Sequence, residues 1–237
     1  MVAPESDRGI PATVVGGRLG VTLDGLQKLG NPVPYGTYIG SMATAELRTP
    51  DRILKTALEL FSTKGYDATS VREICEAAGI TKPTLYHFYR SKEGLYRVLV
   101  DGTLDEFQGE LSARLSAPGT AQERLTRLAR AYFEWGRGRR DHMRFIFGLI
   151  YGPPSSAPRT DFHRFYRDVL ALVARAAEEG VARGELSPGP TDVRLLVLMG
   201  SLGEALCGYL LAGQPDLTPS LADSLVNTVL QGWQTHS

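Results

Sequence analysis

Cysteine is scarce in this chain. Its 237 residues hold only Cys75 and Cys207, too far apart for any metal-binding or redox spacing. A disulfide-stapled scaffold is excluded, and a reduced, cytoplasmic setting is the simple expectation. Net charge is also missing: 26 Lys+Arg balance 26 Asp+Glu, which argues against a chain that coats nucleic acid along its whole length. No stretch alternates apolar and polar residues for long enough to make a strand, leaving an all-α chain. The N-terminus lacks both a basic n-region and an uninterrupted apolar h-region, so no secretory signal is expected. No Ser-His-Asp set, paired carboxylates or Gly-rich phosphate loop is present, so neither an enzyme nor a cofactor is expected. His142 and His163 lack the Cys or carboxylate spacing that a metal site needs and read as structural histidines. Lysine disappears after Lys92, a bias that coding composition explains as well as chemistry does.

The balanced total hides an asymmetry. Residues 1–46 carry 3 basic and 4 acidic side chains, residues 47–97 carry 9 and 6, and residues 98–237 carry 14 and 16. The positive excess is therefore confined to about fifty residues. One long apolar run, LLVLMGSLGEALCGYLLAG over 195–213, has the length to cross a bilayer of ~30 Å hydrocarbon. Glu204 near its middle, its glycines and the absence of a flanking basic cluster favour instead a helix buried in a protein interior, with no membrane partner.

Residues 1–46 are rich in Gly, Pro, Ser and Thr without a sustained period, and a disordered or loosely ordered arm is expected there. Met42 is an alternative start. Helical pattern begins at Pro50, a residue suited to a first turn, and runs through Ile53, Ala57, Leu60 and Phe61 to Gly65. Ser70 and Glu73 have capping-box spacing before Val71, Ile74, Cys75 and Ala78, and Gly79 supplies a left-handed turn. Thr81 is placed to cap a third helix, and Ser91 a fourth that reaches Ser116. Beyond Pro118-Gly119, helices are expected over 121–137, 140–150, 160–183, 191–213 and 218–235, separated by Gly/Pro punctuation. Arg139, Arg140 and Asp141 read as a solvated helix start. The total is about nine helices.

From Thr69 to Leu95 the sequence TSVREICEAAGITKPTLYHFYRSKEGL, preceded by LFSTKGYDA, resembles the DNA-binding region of the TetR family of bacterial transcriptional regulators. The resemblance rests on the AAGI turn, the T-L-Y triplet and the aromatic followed by R-S-K-E-G-L, taken together over about fifty residues. It implies a three-helix helix-turn-helix domain (47–97), then a helical ligand-binding and dimerisation domain (98–237), in which it holds only in pattern. By position it places Tyr86 and Lys92 on backbone phosphates, and Lys82, Pro83, Thr84 and His87 on bases or phosphates. Two residues depart from the pattern. Cys75 stands where a small alanine is usual. Phe88 replaces a polar or hydrogen-bonding aromatic, so it can touch a thymine methyl but cannot donate to phosphate.

Physical reasoning supports such a reader. A helix N-terminus carries free N–H groups and a positive dipole end, which suits the approach of Thr81 to Thr84 to phosphate. His87 is either a DNA contact or an ordinary exposed histidine. So small a module binds weakly alone, so a homodimer on double-stranded DNA is expected. Gly200, Gly203 and Gly208 on one late helix, and Leu225, Val229 and Trp233 on the next, are the expected pairing residues. Cys207 reads as packing, with redox sensing across the dimer axis as the alternative. Among many aromatics, Phe107, Trp135, Phe147, Tyr151, Phe165 and Tyr166 are the candidates for lining a pocket for a hydrophobic or aromatic small-molecule effector. The leading expectation is a repressor released from a palindromic operator by that effector. The alternative is an all-α ligand-binding or enzymatic protein with a vestigial helix-turn-helix.

Overall fold

A computed structural model of the chain describes residues 48–231, apart from the side chain of His163. The expected arm over 1–46, the start at Met42, Trp233 and the last turn towards 235 lie outside the described residues. Nine α-helices and no strand occupy the described part: α1 (Thr49–Lys64), α2 (Val71–Ala78), α3 (Lys82–Tyr89), α4 (Lys92–Ser116), α5 (Ala121–Gly138), α6 (Arg140–Tyr151), α7 (Phe162–Ala182), α8 (Thr191–Ala212) and α9 (Pro219–Gln231). The boundaries follow the punctuation. Pro50 sits in the first turn of α1, and Ser70 and Glu73 exchange both bonds of a capping box, Glu73 N–H to Ser70 Oγ at 3.1 Å and Ser70 N–H to Glu73 Oε2 at 2.9 Å. Gly79, at φ 62°, takes the left-handed turn between α2 and α3.

Thr81 departs from its expected role. It occupies the N-cap position of α3 without a side-chain cap bond, because its hydroxyl is engaged with the Thr84 hydroxyl at 2.9 Å. Ser91 does cap α4, accepting from Gly94 N–H at 3.0 Å.

In the first three helices Ile53, Ala57 and Phe61 of α1 meet Ile74, Cys75 and Ala78 of α2 and Leu85 of α3 in a closed apolar centre. The α1 stripe is wider than its 3.6-residue period suggested. Leu54, Thr56 and Leu58 are buried too, while Leu60 is only half-buried, because α4 and α6 cover the second side of α1. In the remaining helices α5 is central and packs against α4, α6, α7, α8 and α9. Leu125, Leu128 and Phe133 of α5 are buried with Leu99 and Leu111 of α4 and Met143 of α6. Gly136 lets α8 approach α5 closely, since a Cβ there would run into the Leu206 side chain.

Of the expected solvated helix start, Arg140 is exposed, whereas Arg139 is half-buried. Arg139 is ion-paired with Glu106 of α4, with its guanidinium carbon 5.7 Å from the centre of the Trp135 ring. Arg140 lies 5.4 Å from the Tyr209 ring centre. Both long side chains fold back onto neighbouring helices that the linear sequence does not show.

The apolar run of 195–213 also turns out differently. Helix α8 is long and apolar enough to cross a membrane by length and composition, yet the described residues cover only one of its faces, through Leu195, Leu198, Met199, Leu202, Leu206 and Leu210. Val193, Leu196, Val197 and Leu211 are exposed. Helix α9 buries Ala222, Val226 and Leu230 against α5, where Arg130 grips Asp223 through two 2.6 Å bonds. Leu221, Leu225 and Val229 of α9 are left half-buried.

Candidate functional site

The short helix α3 is held from beneath. Leu85 and Tyr89 are buried, and the Tyr89 hydroxyl donates to the Pro50 carbonyl at 2.8 Å, fixing α3 against the start of α1. Residues 85 and 89 share one face, so the rest of the helix is turned outward. Lys82, Pro83, Tyr86, His87 and Phe88 are exposed and Thr84 is half-buried. Pro83 and His87 are one turn apart on this face, as are Lys82 with Tyr86 and Thr84 with Phe88. The Phe88 ring meets the His87 ring edge-on at 5.0 Å, an apolar patch within an otherwise polar surface. Cys75, beneath, is buried and its thiol is pushed up by that burial, which marks a packing residue.

Lys92 is placed differently from the other five candidates. It opens α4, and its ammonium donates to the Tyr66 carbonyl at 2.6 Å and lies 3.9 Å from the centre of the Tyr66 ring. Burial draws its pKa below the ordinary lysine value. Tyr66 in turn donates to Glu93 at 3.2 Å, and burial, with Glu93 adding to it, pushes the phenol up to about 12. Any role for Lys92 on a phosphate requires this ammonium to leave Tyr66.

The loop carrying Tyr66, between α1 and α2, packs against helices beyond the first three. Phe61, Tyr66, Tyr96 and Phe145 form an aromatic cluster shared by α1, the loop, α4 and α6, with ring centres 4.8 to 6.4 Å apart. Beside it, Asp67 accepts from the Ser156 N–H at 3.1 Å and from the Ser156 hydroxyl, a clasp across 89 residues. These bonds hold the Asp67 carboxyl below its usual range. A cleft of about 310 Å³ opens between this loop and the end of α6.

Of the aromatics expected to line a pocket, Phe107, Trp135 and Phe165 come together. The Phe107 ring lies 4.8 Å from Trp135 and 6.3 Å from Phe165. Tyr166 stacks on Phe162 at 6.3 Å, one step outward. Phe147 and Tyr151 form a separate pair at 5.7 Å, with Tyr151 76% exposed at the end of α6.

Four residues packed with these aromatics were not among the expected pocket residues. Tyr132 is buried 5.4 Å from Phe107, and burial, with Tyr151 and Tyr166 contributing, raises its phenol. Thr103 and Glu106 of α4 and Arg139, at the joint between α5 and α6, add buried polar atoms. Thr103 Oγ1, Glu106 Oε2, Trp135 Nε1 and Arg139 Nε all lack a hydrogen-bond partner among the described residues. Each such atom costs on the order of 1–3 kcal/mol when left unpaired. The available signal was polar residues set one turn from aromatics, Thr103 four before Phe107 and Arg139 four after Trp135. His142 is buried beside Trp135, its imidazole driven down to about 4 by burial and then by Arg139. Among the described residues no group of three His, Cys, Asp or Glu is placed to hold a metal ion.

The expected pairing residues divide as well. Gly200 is exposed and Gly203 half-buried on α8, a Cβ at Gly203 lying 3.9 Å from the Tyr132 hydroxyl of α5, while Leu225 and Val229 of α9 are half-buried. Gly208 answers to its own chain instead, because a Cβ there would meet the Gln214 carbonyl in the loop after α8. Cys207 is partly exposed.

Residues 53–99 match the sequence profile of the bacterial regulatory proteins of the tetR family. The chain is 30% identical over 150 residues to the HTH-type transcriptional repressor KstR2 of Mycolicibacterium smegmatis, covering 58% of this chain and 67% of that one. It is 42% identical over 65 residues to the HTH-type transcriptional repressor ComR of Escherichia coli, a match spanning 27% of this chain and only 31% of that relative. In three dimensions it resembles the fatty acid regulator FadR of Bacillus subtilis, solved in complex with stearoyl-CoA. That likeness has a TM-score of 0.63 and 19% identity, and covers 77% of this chain and 98% of FadR.

Proposed function

This chain belongs to the TetR family of bacterial regulatory proteins and is a transcriptional regulator; from that premise we propose that it is a cytoplasmic, homodimeric repressor, released from a palindromic operator by a small hydrophobic effector. The observation that carries the reading is the outward face of α3. Lys82, Thr84, Tyr86 and His87 stand together on a short helix within residues 47–97, where 9 basic side chains exceed 6 acidic ones. Lys82 is suited to a phosphate or a guanine edge and the Tyr86 hydroxyl to a phosphate, while Phe88 offers an apolar edge to a thymine methyl. Residues 47–97 act as the reader, and residues 98–237 hold the effector and the second subunit.

The aromatic cluster of Phe107, Trp135 and Phe165 supports an apolar effector. FadR, which shares the fold, was solved with the long-chain thioester stearoyl-CoA. Release is a population shift. An effector that binds better when α6 and the connection after it are displaced would move the readers through the Phe61–Phe145 contact and the Asp67 clasp, away from a spacing that fits successive major grooves. Equal affinity for the two arrangements would release nothing.

Electrophoretic mobility shift on the gene's upstream region, at several salt concentrations, tests the reading. Lys82→Ala is expected to weaken binding and to lower the log–log salt slope by about one. Failure of the purified dimer to select any site from a random duplex pool would overturn it.

A further inference from the structure

The facing turns of α4 and α5 are apolar and aromatic, yet they bury four polar atoms that nothing among the described residues satisfies: Thr103 Oγ1, Glu106 Oε2, Trp135 Nε1 and Arg139 Nε. Their environments make this more than loose packing. Thr103 is fully buried, and its hydroxyl does not bond back to its own helix as those of Thr63 and Thr228 do, at 2.7 and 2.8 Å to the carbonyls one turn earlier. The Trp135 ring is fixed between Phe107 and the Arg139 guanidinium, with its N–H unpaired. The Arg139–Glu106 pair joins Nη2 to Oε1 only, leaving the second edge of each group unused, where a two-bond fork is the usual geometry.

The charges decide what these atoms can receive. Arg139 and Glu106 cancel, and His142, facing the same ring from α6, is neutral at pH 7. A carboxylate entering here would be repelled by Glu106 about as strongly as Arg139 attracts it, and would lose its hydration as well. An ammonium meets the mirror-image problem. A neutral acceptor suffers neither, and an indole N–H with a rotatable hydroxyl on the helix packed against it is suited to a carbonyl oxygen. Resting on the proposed effector site, we infer that this cluster of aromatic and unpartnered polar groups recognises the neutral carbonyl of an otherwise apolar molecule, a ketone, ester or thioester, through Trp135 Nε1 and Thr103 Oγ1. The hydrocarbon remainder lies against Phe107 and Phe165.

Isothermal titration of the full-length protein with 2-decanone, methyl decanoate and decanoate tests this. The ketone and the ester are expected to bind about tenfold more tightly than the acid, the worth of one neutral hydrogen bond. Trp135→Phe, which keeps an aromatic ring but removes the N–H, should erase that preference, and Thr103→Val should reduce it. Circular dichroism checks that each variant is folded, and the two substitutions report independently. Binding of ketone but not ester narrows the class to unhindered carbonyls and still supports the inference. Equal or reversed affinity for decanoate, failure of all three probes to bind, or a preference unchanged in both variants overturns it. A protein that selects an operator yet binds no probe leaves the DNA-binding reading standing. One that binds the ketone through Trp135 but selects no DNA site does the reverse.

Discussion

Replacing Leu196 by Glu should convert the proposed dimer to a monomer. On the uncovered face of α8, Val193, Leu196, Val197 and Leu211 are 52, 64, 53 and 83% exposed, together the equivalent of about two and a half side chains. Fully burying one Val or Leu is worth ~1.5–3 kcal/mol, so covering this face contributes about 5 kcal/mol per subunit and about 10 per pair. That is comparable with the ~4–15 kcal/mol that association costs, so the face alone is marginal and the α9 flank of Leu225 and Val229 must add to it. A two-fold interface uses the same patch twice. Leu196→Glu therefore removes about 1–2 kcal/mol at each copy and leaves a carboxylate at each copy to be desolvated. A loss of at least about 4 kcal/mol weakens pairing by about three orders of magnitude. Sedimentation equilibrium reads the dissociation constant directly, circular dichroism confirms that helix content is kept, and Ala113→Glu on the exposed side of α4 controls for added charge. The variant should also lose operator binding at concentrations where the native protein is saturated. A dissociation constant within a few-fold of the native one would refute the assignment of this face.

Two further outcomes are expected. His142 titrates near 4 in the native state against 6.5 when unfolded, so the unfolded chain takes up a proton that the native chain refuses; the stability from neutral His142 is complete above about pH 6.5 and drains away as pH falls toward 4. Between pH 6.5 and 5 the loss should be about 2 kcal/mol in urea denaturation, and a His142→Phe variant with the same pH slope as the native protein would contradict it. Asp67→Ala removes the clasp on Ser156, so hydrogen exchange at residues 67–70 and 155–157 should speed up while α4 stays protected; unchanged exchange would show that the clasp does not persist in solution.

Much of the helical framework was legible in the chain itself because its signals are local. Proline in a first turn, the Ser70/Glu73 box and Gly79 at a left-handed turn act on backbone groups within a few residues, wherever the helix later packs. The outward set on α3 was legible for the same reason: once Leu85 and Tyr89 face inward, helix periodicity points Lys82, Tyr86 and His87 outward. Thr81 escaped this reading because a neighbouring hydroxyl competed for its side chain.

What depended on distant helices was not legible. Arg139 read as solvated until Glu106, 33 residues away, was brought against it, and Lys92 read as a phosphate contact with no sign of the Tyr66 carbonyl, 26 residues away, that its ammonium meets. Gly208 read as a pairing residue, though the loop at Gln214 already fills that space. The sequence by itself determined an all-α chain, its helix ends and the face α3 can offer to DNA, since these follow from backbone chemistry and a 3.6-residue period. Only tertiary structure decided which apolar face of α8 remains uncovered and which polar atoms lie unpaired beside Trp135, because burial belongs to surfaces that meet in space and not to any stretch of chain.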